Sequence, residues 1–133
     1  MITIYDWLHT YEDLSPVGIS STMSVEGMCK KARGARFLFA GVKLRFSPCN
    51  TLQFENLLPY EDYMIADKEQ WLNSIAFGVL DVMLVHPSRP ITHFLCVIES
   101  IKFHQVDSSK EAFRLAGRYA AQEFLTSEKF VSM

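Results

Sequence analysis

Between Asp67 and Leu84 the apolar residues Trp71, Leu72, Ile75, Ala76, Val79, Leu80 and Met83 recur at steps of three and four. That period lays them along one stripe of a helix, and a stripe this wide has to be buried against another element. A second period lies upstream. In the run Arg36 to Phe46, the residues Val42, Leu44 and Phe46 alternate with Lys43 and Arg45, as in a strand with one buried face. A chain carrying both patterns is expected to stack helix on sheet.

The remaining elements fit around these two. Ser24 to Lys31 reads as a partner strand, with Val25, Gly27 and Cys29 on one face and Glu26, Met28 and Lys30 on the other. Ala32 to Ala35, containing Gly34, is the turn between the two strands. Pro48 and Asn50 end the pair, and Leu52 to Leu57 offers a short strand before Pro59. Asp67 and Glu69 suit the positive end of the helix that follows, and Pro87 and Pro90 forbid its continuation. Ile91 to Ile98 is β-branched and aromatic, the composition of a buried central strand.

Ser108-Ser109-Lys110-Glu111 has the Ser-x-x-Glu form of a capping box, which predicts Ser108 as helix N-cap with Glu111 as its reciprocal partner. The helix it opens buries Ala112, Phe113, Ala116, Ala120 and Phe124 and sets Lys110, Arg114 and Arg118 on another face. The order strand, strand, short strand, helix, strand, helix is an α+β layer with both helices on one side of a sheet.

A chain of 133 residues with 49% hydrophobic and 21% charged residues has the content of one folded domain. Residues 1–23 read as an N-terminal arm and 24–133 as the domain. No apolar run approaches the ~20 residues of a membrane span, and Met1 to Leu14 carries Asp6, Glu12 and Asp13 where a secretory signal needs basic residues first. A cytoplasmic protein that does not engage membranes is expected. Cys29, Cys49 and Cys96 are odd in number and widely spaced, which encodes neither a disulfide framework nor a zinc ribbon. His93 and Cys96 would point to opposite faces of a strand, so no metal site is expected.

Charge is divided unevenly. From Ser24 to Asn50 stand Lys30, Lys31, Arg33, Arg36, Lys43 and Arg45 against Glu26 alone, a net +5, while the rest of the chain carries −7. Such a basic segment in an acidic chain suits a polyanion, because clustered cations release the counterions condensed on nucleic acid. Phe37 and Phe39 could stack on unpaired bases.

Two passages resemble the fourth domain of elongation factor G and its relatives, the ribosomal translocases. One is Val25-Glu26-Gly27 leading through the basic hairpin to Val42-Lys43-Leu44-Arg45-Phe46-Ser47-Pro48; the other is His104-Gln105-Val106-Asp107-Ser108-Ser109 entering the helix Ala112-Phe113-Arg114-Leu115-Ala116-Gly117. The likeness spans residues 24 to 125. It implies a mixed sheet of about four strands with two helices on one face and a left-handed β-α-β crossover, similar to the second domain of a small-subunit ribosomal protein. It also implies a role as the projecting tip that enters the decoding end of the ribosomal A site. Carried onto this chain, the tip comprises the hairpin around Arg33, Gly34 and Arg36 and the loop with His104, flanked by Lys30, Lys31, Lys43 and Arg45.

This chain departs from the family at the tip, where only Gly34 stands in the turn and Phe37, Leu38, Phe39 and Ala40 follow it. No Gly-x-x-x-x-Gly-Lys-Ser/Thr loop occurs, so no nucleotide or other cofactor is expected to bind and no GTP to be hydrolysed. Asp107, Ser108 and His104 lack the glycine-flanked elbow of a serine nucleophile, so no enzymatic activity is expected. The expected partner is the small ribosomal subunit or another structured RNA. The alternative is a protein-interaction or self-associating module, a homodimer for instance, using the apolar Phe37 to Ala40 tip.

Overall fold

The computed structural model describes residues 17–19, 22–33, 36–85, 90–104, 107–127 and 130–132. Alternation makes the first long element a hairpin. Strand β2 (Met23–Arg33) pairs antiparallel with β3 (Arg36–Pro48) from the rung Met23 to Phe46 up to Arg33 and Arg36. Val25, Cys29, Leu38, Val42, Leu44 and Phe46 are buried, whereas Glu26, Met28, Lys30 and Lys43 are exposed. Both strands match the expected bounds closely.

The hairpin continues into a mixed sheet. Strand β5 (Ile91–Lys102) runs antiparallel to β3 on one side and parallel to β4 (Gln53–Asn56) on the other, with Cys96 opposite both Phe46 and Phe54. The four strands thus lie in the order β2, β3, β5, β4. Of the 1–23 arm, Val17–Ile19 forms strand β1, parallel to the start of β5, and Met23 opens β2. Strand β6 (Phe130–Ser132) pairs antiparallel with β1. Earlier in the arm, Ile2, Ile4 and Tyr5 suit the start of a short strand by sequence and lie outside the described residues.

Among the described residues three helices stand where two were expected. Helix α1 (Tyr60–Lys68) and helix α2 (Trp71–Met83) fill the crossover from β4 to β5, and α3 (Lys110–Ser127) follows β5. The helix expected between Asp67 and Leu84 is α2, which starts at Trp71; α1 is an additional helix before it, and Gln70 in the left-handed conformation (φ 61°, ψ 27°) separates the two. Asp67 and Glu69 do not serve the positive end of α2. Asp67 is in the last turn of α1, where its carbonyl accepts the Gln70 N–H at 3.1 Å.

Helices α2 and α3 cover one face of the sheet and enclose one core. Their spacing is set by small residues. A Cβ on Gly78 would stand 2.1 Å from the Arg114 carbonyl oxygen, and one on Gly27 2.1 Å from that of Ala116, so α3 lies against both α2 and β2 at backbone contact. Above this seam Trp71 stacks on Phe113 at 4.6 Å, and below it Phe46 meets Phe124 at 4.5 Å. The opposite face of the sheet has no helix over it among the described residues.

Candidate nucleic-acid interface

The far end of the hairpin and the loop after β5 are joined through backbone atoms. The Phe39 N–H donates to the Asp107 carbonyl at 3.1 Å. The Ser108 hydroxyl donates to the Phe39 carbonyl at 2.8 Å and accepts the His104 N–H at 2.8 Å. One serine therefore ties its own loop to a residue of β3 that is 69 positions away in sequence.

That arrangement corrects the capping assignment. Ser108 is not the N-cap of α3; Ser109 is, its hydroxyl accepting the Ala112 N–H at 3.2 Å as a cap does for the third amide of a helix. Glu111 lies in the first turn of α3, one position nearer the Ser109 cap than the Ser-x-x-Glu spacing from Ser108 implied. Two adjacent serines offered the same hydroxyl, and only the register of the helix start distinguishes them.

The cationic residues divide into four groups. Lys30 and Lys31 are exposed and make no ion pair among the described residues, but strand alternation sends them to opposite faces. Lys43 is exposed in the middle of the sheet, on the rung opposite Glu26. Arg45 is paired: its Nη1 lies 3.7 Å from Glu99 Oε2, while Glu99 Oε1 accepts the Ser24 hydroxyl at 2.7 Å. A shift of register between Lys43 and Leu44 inserts Glu99 as an extra residue in β5 and lets its side chain reach across. Arg33 and Arg36 form the last rung of the hairpin; their side chains, and Gly34, lie outside the described residues.

His104 is exposed, with Nδ1 3.4 Å from Asp107 Oδ2. The tip is less apolar than its sequence: Leu38 and Ala40 are buried in the core, which leaves Phe37, 46% exposed, and the half-buried Phe39. Nor does α3 extend the cationic end. Arg114 makes two hydrogen bonds to Asp81 at 2.7 and 2.8 Å, and Arg118 adds a third at 2.9 Å. The Arg114 hydrogen bonds hold the Asp81 carboxyl below the usual carboxylate range and raise the Arg114 guanidinium in turn.

Among the described residues no three His, Cys, Asp or Glu side chains gather as a metal would need, and no helix is long and apolar enough to cross a membrane. The Cys96 thiol is pushed up by burial and is a core group.

No family model matches the chain, and no curated protein matches it. A crystal structure of a protein from Thermus thermophilus is similar, with a TM-score of 0.76 and 22% identity over 87% of this chain. The likeness is one of fold. It covers 17% of that protein, so this chain spans about a sixth of its length.

Proposed function

We propose that this chain is a non-catalytic RNA-binding module, similar to the tip domain of the ribosomal translocases, that acts by occupying a site on the small ribosomal subunit or another structured RNA. The observation that supports this most is the Ser108 clasp, which brings the loop with His104 beside the end of the hairpin with Lys30, Lys31 and Phe37. Phosphates would be met by Lys30 and Lys31, together with Arg33 and Arg36. His104 offers a ring for a base or ribose contact. Arg45 has a secondary part in this reading, since Glu99 already takes its charge.

Co-sedimentation with small ribosomal subunits over a salt series tests the proposal. Binding should fall steeply with salt. Replacing Lys30, Lys31, Arg33 and Arg36 by alanine should weaken it and flatten the salt slope by roughly 0.7–0.9 for each phosphate left unneutralised. Absence of binding at low salt, or indifference to the four alanines, would overturn it. A self-associating module is the second reading, favoured by the exposure of Phe37 and Met28. Mass that rises with concentration in light scattering, and falls in a Phe37→Ser variant, would select it.

A further inference from the structure

The face of the sheet that carries no helix among the described residues is organised in rungs. Lys30 stands opposite Phe39; Met28 opposite Gly41, which in turn faces Lys102; and Glu26 opposite Lys43, which faces Ser100. Because Gly41 has no side chain, the end of Met28 lies down over it, and the middle rung borders a depression of about 260 Å³ lined by Glu26, Met28, Lys43, Ser100 and Lys102. An apolar cavity of about 150 Å³ accepts benzene, so this one has room for a single heteroaromatic ring.

Its chemistry is mixed in a particular way. The Met28 thioether, which lies over the buried Gly41, gives the depression a polarisable floor of the kind that contacts aromatic rings well. Lys43 and Lys102 are exposed and make no ion pair among the described residues. Ser100 can donate or accept, while the Glu26 carboxylate can only accept and so matches an exocyclic amino group of a base. One rung toward the tip, Phe39 is half-exposed beside Lys30, with Phe37 beyond it. An alternation of ring surfaces and ammonium groups along one face is what a single strand of RNA engages, stacking its bases and pairing its phosphates. A duplex could not insert a ring here without unstacking it.

We propose that the open face of the sheet carries a binding site, centred on Gly41, for one unstacked base of a single-stranded RNA, with Lys43 and Lys102 at its phosphates and Phe39 stacking the next base. This rests on the RNA reading above and extends it from the tip to the sheet.

Gly41→Val tests it. A Cβ at Gly41 would stand 3.0 Å from Met28 Cε and 3.1 Å from Met28 Sδ, the movable end of that side chain, and 3.2 Å from Lys102 Cβ, so the added methyl groups push Met28 into the depression. Fluorescence anisotropy with a labelled oligocytidylate, on the full chain, should show a loss of about tenfold or more in the variant, the size of one stacked base. Lys43→Ala with Lys102→Ala serves as the independent check, and should reduce the salt slope by roughly 1.4. Unchanged oligocytidylate binding in both variants overturns the site even if small subunits are still bound through the tip. Binding of neither RNA by the parent chain overturns the RNA reading itself. Displacement of the oligomer by cytidine monophosphate at equal concentration, or by polyglutamate with the same sensitivity to Gly41→Val, would assign the face to a free nucleotide or an acidic protein segment and overturn it as well.

Discussion

Strands β2 and β3 have two faces made from the same residues in alternation, and the two behave as different materials. On the helix side, Gly27 is pressed against the α3 backbone and Phe46 is closed in by Phe94 and Phe124. On the open side, Gly41 borders a depression and Phe37 stands half in water. Strand alternation sets the two glycines on opposite faces: Gly27 is closed by the α3 backbone, whereas Gly41 is covered by the movable end of Met28. The lesson is that burial, not residue type, decides whether a position holds the molecule together or offers it to a partner.

Substitutions across the two faces can break that contrast. The largest effect is expected at Phe46, where alanine removes a ring with no exposed surface and should cost about 3–5 kcal/mol in denaturant unfolding. Phe37→Ala should cost less than about 1 kcal/mol, and equal losses would sink the distinction. Gly27→Ala comes next. Its Cβ would fall 2.1 Å from the Ala116 carbonyl oxygen and 2.6 Å from the Ala120 nitrogen, so α3 has to move, at about 3 kcal/mol. Gly41→Ala should cost about 1 kcal/mol, less than Gly27→Ala, since the end of Met28 can turn away and Lys102 Cβ at 3.2 Å asks only a small shift of β5.

Ser108→Ala should have an intermediate effect. It removes two hydrogen bonds at once, for about 1–2 kcal/mol. Hydrogen exchange offers the sharper readout: the Phe39 amide, bonded to Asp107, should exchange faster while the Phe113 amide in α3 does not. If Ser108 merely capped the helix, the order would reverse.

The smallest effect belongs to Asp81, on the outer side of the helical layer. Its carboxyl is held low by Arg114, so the pair stabilises the fold above the ordinary carboxylate range, near pH 4, and that contribution disappears as pH falls through the depressed value. The side chains of Arg114 and Arg118 are 49% and 39% exposed, which screens the interaction. Asp81→Asn should therefore lower stability at pH 7 by under about 1 kcal/mol, with the difference from the parent shrinking in melts below pH 4.

The hairpin, the central strand and α3 were legible because each has a strong period and a breaker at its end. Helix α1 was not, since Ala66 is its one buried residue and its face carries no apolar stripe. Its surviving signals were Pro59 at the cap and Glu61 and Asp62 in the first turn. The cationic cluster was legible as composition but not as a surface. Alternation splits Lys30 from Lys31, and the extra residue at Glu99 brings a carboxylate to Arg45 from 54 positions away. The site at Gly41 was hidden for a related reason: Met28, Gly41 and Lys102 share a rung only once three strands are in register.

The Ser108 clasp has an evolutionary corollary. Its ties end on main-chain atoms of Phe39 and His104, which every residue but proline supplies alike. Side chains at the extremity can therefore be rewritten one after another while the loop positions stay put, so descendants of this chain are free to change what they recognise without having to relearn how to fold.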